Sequence, residues 1–296
     1  MNATVTVEDL EVHAENLDAK RAAQIYREHG ALVVRGLYKA YVPKLRAEIE
    51  TAASQALTLV DKAKKCAEGW TTPDGTLWIP APKNYSRDKQ IMCLSVGYKN
   101  SASMFQSAYD EKAVDIASAI LGPDVELFLD GQCLYKEPVG GHAKNLHQDA
   151  AYFQHRYDGP VAVLGYMVDT DLVNGALHVV PGSHKLGVLG HVDTSSHLGL
   201  KEEEWPWERA LPVVGKAGDA IFFHVNTIHG SKSNHSKASR PVAIHRYRRA
   251  DDYVVISATT TDNRAHAEQH VEQAKKDNQM GFMVRGQRRY DAGRNS

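Results

Sequence analysis

Apolar positions follow two different rhythms along this chain, one before Pro123 and another after it. The segment Asp18–His29 reads as a helix. Asp18 suits the N-cap, and Gly30 stands where a C-terminal glycine belongs. Ala31–Leu37 (ALVVRGL) then reads as a buried strand, and residues from about Tyr41 to Lys65 as helix-rich, with apolar residues recurring at spacings of three and four, the helical period. Ser103–Leu121 predicts a further helix, stopped by Gly122 and Pro123. Between these lies Gly69–Asp88, with three prolines, two glycines and two tryptophans. That composition is too aromatic for a flexible linker and predicts an ordered surface loop with the character of a lid.

After Pro123 the apolar runs become short, and Gly, Pro, Asn and Asp separate them. Val125–Lys136, Pro160–Val168, Ala176–Pro181, Leu211–Gly215, Asp219–His224 and Arg240–Arg248 read as strands. Helices first and closely spaced strands second predict a mainly β fold with flanking helices. The architecture expected is a barrel or double-sheet sandwich beneath an N-terminal helical layer. No repeat or linker divides the chain, so residues 1–296 are expected to form one domain with its β core at about 125–258. Val271–Gln279 reads as a solvated helix.

Charge and composition narrow the function classes. The formal net charge is −1, which argues against a nucleic-acid surface or a polybasic membrane anchor. No apolar run approaches the roughly 18 residues that span a bilayer. The acidic start lacks the basic, then apolar, pattern of a secretory signal. Cys66, Cys93 and Cys133 form no C-x-x-C pair, so neither a disulfide framework nor a thiolate metal site is suggested. A cytoplasmic protein acting on a small molecule is the expectation, with oligomeric state open.

One count stands out. Of 15 histidines, eleven fall between His142 and His245. A lone strand histidine is more often a hydrogen-bonded core residue than a ligand, so spacing must decide. In His147-Gln148-Asp149 the imidazole and the carboxylate are two residues apart and share one face of a strand. A second imidazole from a distant strand would complete a two-histidine, one-carboxylate face, an arrangement suited to non-haem Fe(II) with open positions for cosubstrate and O2. The motif alone is weak, because His191-Val192-Asp193 repeats it in a segment without a clear strand. His266, Glu268 and His270 offer a helical alternative that fits a solvated face better. Context favours His147. His229 ends an apolar stretch, is followed by Gly-Ser, and precedes Arg240 by eleven residues. A planar, permanently charged guanidinium beside a metal face can hold a cosubstrate carboxylate through two parallel hydrogen bonds.

Four stretches carry a family resemblance: Leu146–Phe153 (LHQDAAYF), Asn174–Lys185 (NGALHVVPGSHK), Gly218–Phe223 (GDAIFF) and Ile228–Asn234 (IHGSKSN) with Arg240. In their order and spacing the chain resembles the phytanoyl-CoA dioxygenase family of Fe(II)/2-oxoglutarate-dependent oxygenases, from about Ala31 to Tyr253. The resemblance implies a double-stranded β-helix, the jelly-roll core of cupins. It implies His147, Asp149 and His229 as iron ligands and Arg240 with Ser231 as the hold on 2-oxoglutarate. Gln132 and Tyr166 fall near positions that face the cosubstrate in the family. It further implies that O2 and 2-oxoglutarate are consumed, with succinate and CO2 as coproducts and hydroxylation as the expected outcome. Halogenating relatives replace the carboxylate by a small residue, so Asp149 argues against halogenation. A cupin-type hydrolase or isomerase, and a barrel that binds without turnover, are the alternatives.

Substrate contacts are less determined. Arg246 lies six residues after Arg240, so a regular strand puts both on one face. It could meet an anionic substrate group or close an internal salt bridge. Tyr152 and Phe153 adjoin the metal motif and are either substrate wall or packing. Trp78, with Trp70, Tyr85 and Arg87, could cover a substrate from the lid or anchor that loop to the surface.

Overall fold

The computed structural model describes residues 5–66, 68–83, 85–157, 159–194, 197–255 and 279–288. Ten strands of the two main sheets frame the site. They are β1 (Ala31–Arg35), β2 (Lys89–Leu94), β3 (Gln132–Lys136), β4 (Lys144–His147), β5 (Val161–Tyr166), β6 (Leu177–Val179), β7 (Leu211–Val213), β8 (Ala220–His224), β9 (His229–Ser231) and β10 (Arg240–Arg249). The large sheet runs β1-β8-β5-β10-β3-β2, and the small one runs β7-β6-β9-β4. Beyond β2 the large sheet continues through Leu77–Pro80, Gly69–Thr71 and Lys64–Cys66, and Glu11–His13 extends its other end.

Period-two alternation places one face of the large sheet toward the small sheet and the other toward helices. On β10 every residue from Arg240 to Arg248 is buried. Val242 and Ile244 pack with Leu164, Tyr166, Leu177 and Val179 between the sheets. Ala243 and Tyr247 pack instead with helix residues such as Ile25, Ile49, Ala113 and Ile116. Arg240, Arg246 and Arg248 share the parity of Val242 and Ile244, so they too point between the sheets.

The helical layer consists of α1 (Ala19–His29), α2 (Val42–Leu59), α3 (Ala102–Ala108) and α4 (Glu111–Leu121). α1 ends as the sequence predicts. The Asp18 side chain accepts from the Lys20 and Arg21 amides, and Gly30 adopts φ 72° while its N–H bonds the Tyr26 carbonyl.

Four expectations change. The helix expected over Ser103–Leu121 is two helices, because Asp110 caps the second by accepting from Lys112 and Ala113 N–H groups. The strand expected over Val125–Lys136 breaks at Leu129, whose φ is 61°, into Val125–Leu127 and β3. The β core does not begin near residue 125, since β1, β2 and the strands over 64–80 belong to the large sheet. Two stretches of the expected loop, Gly69–Thr71 and Leu77–Pro80, are paired strands of that sheet. The helix expected over Val271–Gln279 lies, except for Gln279, outside the described residues, as do His266, Glu268 and His270.

Candidate metal centre

β4 and β9 are antiparallel neighbours, and His147 stands directly opposite His229. Their ring centroids are 4.3 Å apart. The Nδ1–H of His147 donates to the Asn145 carbonyl at 2.8 Å, and that of His229 to the Thr227 carbonyl at 2.9 Å. Each bond fixes the ring and leaves Nε2 as the free donor. Both Nε2 atoms lie 3.7 Å from Asp149 Oδ1. Burial and the nearby His229, His197 and Lys144 hold His147 well below the usual histidine range; burial likewise lowers His229, although Asp149 opposes the shift. Both rings are therefore neutral at neutral pH, as metal ligands must be. Among the described residues this is the one cluster of three such side chains able to hold an ion. Two imidazoles and one carboxylate form a nitrogen–oxygen donor set that fits Fe(II) and leaves one side open.

Alternation explains the middle residue of the motif. Gln148 is fully buried and points away from the triad. Its amide donates to the Gly187 and Asn226 carbonyls and accepts from the Leu189 N–H. Its backbone N–H donates to His191 Nε2 at 2.9 Å. Thus His191, part of the competing motif, braces the residue between two candidate ligands. A tight approach explains the glycine after His229: a Cβ on Gly230 would lie 2.7 Å from the Lys144 carbonyl oxygen.

Arg240 is 2% exposed. Its Nη2 donates to the Gly175 carbonyl, and its Nε has no partner. Among the described residues no carboxylate pairs with it, and burial pushes its pKa down to about 10. Lys136 lies opposite it on β3, also buried, with burial and Arg240 holding its ammonium well below the usual lysine range. The Lys136 Nζ donates to the His142 carbonyl, but among the described residues no anion pairs with either cation, and the distal carboxylate of 2-oxoglutarate fits that need.

The family described as phytanoyl-CoA dioxygenase (PhyH) matches residues 26–242.

The chain belongs to the phytanoyl-CoA dioxygenase family.

It is similar to a probable alpha-ketoglutarate-dependent hypophosphite dioxygenase of Stutzerimonas stutzeri, 31% identical over 154 residues. That match spans 49% of this chain and only 53% of the relative. The peroxisomal phytanoyl-CoA dioxygenase of Rattus norvegicus is 24% identical over 259 residues, 82% of this chain and 72% of the relative. Among solved structures, the non-heme alpha ketoglutarate dependent carbocyclase SnoK from nogalamycin biosynthesis superposes with a TM-score of 0.61 at 18% identity, covering 94% of this chain and 97% of that one. EctD from S. alaskensis with bound Fe gives 0.59 at 20% identity, covering 84% and 83%. The fold is the cupin-like one of these oxygenases. The chain is an iron- and 2-oxoglutarate-dependent dioxygenase.

Other predicted site residues of this family member fall in distinct places. Ser231 is buried on the face of β9 that carries His229. Gln132 accepts from Arg246 Nη1 at 2.8 Å, and Arg246 Nε lies 3.6 Å from Asp149 Oδ2. Both therefore belong to the triad's surroundings. Tyr166 lies close enough to Arg240 to feel its charge. Its hydroxyl, however, donates to the Val213 carbonyl and accepts from the Leu177 N–H, which ties the two sheets together. Tyr152 packs near His147, with ring centroids 6.5 Å apart, and its hydroxyl accepts from the Leu198 N–H. Phe153 lies beneath the Arg246 guanidinium at 5.5 Å.

Trp78 is not brought to the triad. It is fully buried in the core beneath the helices, and its indole N–H donates to Thr72 Oγ1. Tyr85 and Arg87 both bond Glu137, so these residues of 69–88 anchor the segment. His155 packs edge-on against Phe128, with centroids 4.7 Å apart. The roles of Lys136 and His191 are not legible in the sequence, because only strand register and loop closure bring them to the site.

Proposed function

We propose that this dioxygenase hydroxylates an unactivated C–H bond of a small organic molecule, with His147, Asp149 and His229 holding iron. The observation that carries the assignment of the cosubstrate side is the buried guanidinium of Arg240, which no carboxylate meets among the described residues, on the sheet facing the triad. Arg240 would grip the distal carboxylate of 2-oxoglutarate, and the Ser231 hydroxyl would donate to it. Lys136, opposite Arg240, would add a second positive charge to that end. Gln132 and Arg246 would orient Asp149 and line the same side of the site.

When bound, iron would supply adjacent open positions where 2-oxoglutarate and O2 meet, so that one oxygen atom enters succinate and the other the substrate, with CO2 released. The protein supplies geometry and exclusion. The Nδ1–H bonds of both histidines keep Nε2 aimed at one point, and Gln148 locks β4 to the loops that lead to His229. Phe128, Phe153 and Val225 form an apolar cluster beside the motif that keeps water from that side.

Two features of the relatives bear on the substrate. One is named for hypophosphite and others for phytanoyl-CoA, which supports no single choice. The test is conversion of 2-oxoglutarate to succinate with a substrate library, read by mass spectrometry for products gaining 16 Da or losing 2 Da. Turnover that vanishes in His147→Ala and Asp149→Ala is the expected result. Succinate formation that survives both substitutions would end this reading.

A further inference from the structure

Lys144 and His147 are three residues apart on β4, so strict alternation would send them to opposite faces. The ladder prevents this. His147 pairs with His229 and Lys144 pairs with Ser231, so β4 spends three residues where β9 spends two. Such a bulge re-aims a side chain. Paired residues of neighbouring strands share a face, and Ser231 shares the face of His229. Lys144 therefore points between the sheets with the triad.

The half-buried Lys144 ammonium makes no hydrogen bond and no ion pair among the described residues. Its surroundings include Asp149, Cys93, Arg246 and the exposed Glu68. Burial lowers its pKa, as expected for a cation without a close partner. Across the site, Arg246 of β10 is 8% exposed, and its Nε makes no hydrogen bond. Asp149, the carboxylate nearest Arg246, would be committed to the metal. Glu68 is exposed, so water screens it. The 2-oxoglutarate dianion would be met by the metal and by Arg240 with Lys136. Two cations on facing sheets then stay uncompensated beside the reacting position, at a cost that an anion would remove.

We propose that Lys144 and Arg246 form a subsite for an oxyanionic group of the substrate, so that the reacting C–H belongs to a small carboxylate or phosphorus oxyanion. This rests on the oxygenase reading above. The alternative location for such a charge, the end of 2-oxoglutarate, is already served by Arg240 and Lys136.

The full-length protein is loaded with Zn(II) and saturating 2-oxoglutarate, which permits binding without turnover. Propionate, methylphosphonate and the neutral propionamide are titrated separately by ligand-detected NMR. The expected result is that propionate or methylphosphonate binds at least about tenfold more tightly than propionamide, and which of the two wins identifies the carbon or phosphorus acid. Lys144→Met should abolish that preference, Lys144→Arg should keep it, and neither should shift the Kd for 2-oxoglutarate more than about twofold. Equal binding of propionamide, or a preference unchanged in Lys144→Met, overturns the inference. So does a loss of 2-oxoglutarate affinity in Lys144→Met as large as in Arg240→Met, which would assign Lys144 to the cosubstrate. If wild-type protein binds no 2-oxoglutarate, the oxygenase reading fails with it; if it binds 2-oxoglutarate and no oxyanion, only this inference fails.

Discussion

Arg240 and Lys136 face each other directly across antiparallel strands, both buried, and no carboxylate pairs with Arg240 among the described residues. Like charges placed opposite one another destabilise a sheet. The arrangement pays its way only with an anion between them. Lys136→Met should raise the thermal midpoint of the 2-oxoglutarate-free protein while weakening 2-oxoglutarate binding. Arg240→Met should weaken binding by at least about 100-fold, or roughly 2.7 kcal/mol. Calorimetric titration and thermal unfolding of both variants check this; a Lys136→Met protein that loses stability would contradict it.

Gln148 predicts coupling between stability and metal affinity. Its side chain makes three hydrogen bonds that join β4 to residues 187–189 and 226. Gln148→Ala leaves those backbone groups unsatisfied and should cost about 2–4 kcal/mol. Metal affinity should fall as well, although no ligand is removed. Urea unfolding and a competitive metal titration read the two effects.

His245 predicts a pH dependence. It is fully buried among Tyr98, Ser107 and Tyr38, and burial, aided by Arg246, pushes its pKa down to about 3. The unfolded ring titrates near 6.5, so below that pH the unfolded chain takes up a proton that the native state refuses. Stability is complete above about pH 6.5 and falls with acidification toward pH 3, by about 1.4 kcal/mol per pH unit for this one group. His147, His229 and His142 shift the same way, so the metal-free protein should show a slope steeper than one proton. His245→Gln should reduce that slope by about one proton in urea titrations between pH 5 and 6.5.

The interior pair Arg248–Glu126, at 2.8 Å and with neither side chain exposed, predicts a large single-site effect. Glu126 also pairs with Arg288 and accepts from the Gly281 N–H, so it fastens the segment whose strand Met283–Arg285 lies on Val125–Leu127. Glu126→Ala removes the carboxylate that faces the buried Arg248 guanidinium and should lower stability by about 3–5 kcal/mol in urea unfolding.

The order of helices and strands was legible because Asp18, Gly30 and the short apolar runs are local signals. The six-residue spacing of Arg240 and Arg246 was legible because alternation holds along β10, and the two-residue spacing of His147 and Asp149 because the extended backbone of β4 continues through Gln148 before a 3-10 turn opens at Asp149. Lys144 was not, because a bulge breaks that rule and only the partner strand reveals it. Trp78 misled for a related reason. Its Pro- and Gly-rich neighbourhood reads as loop, yet tertiary pairing with β2 draws it into the sheet and its indole into the core.

The central claim is that His147, Asp149 and His229 hold an iron ion on which 2-oxoglutarate, anchored by Arg240, assembles. The most direct measurement is an anaerobic titration of the Fe(II)-loaded protein with 2-oxoglutarate, followed by visible absorption. A saturable metal-to-ligand charge-transfer band should appear with one equivalent of Fe(II), be lost in His147→Ala, and require far more 2-oxoglutarate in Arg240→Met. A flat difference spectrum in the wild-type protein, or a band indifferent to His147 and Arg240, would contradict the account.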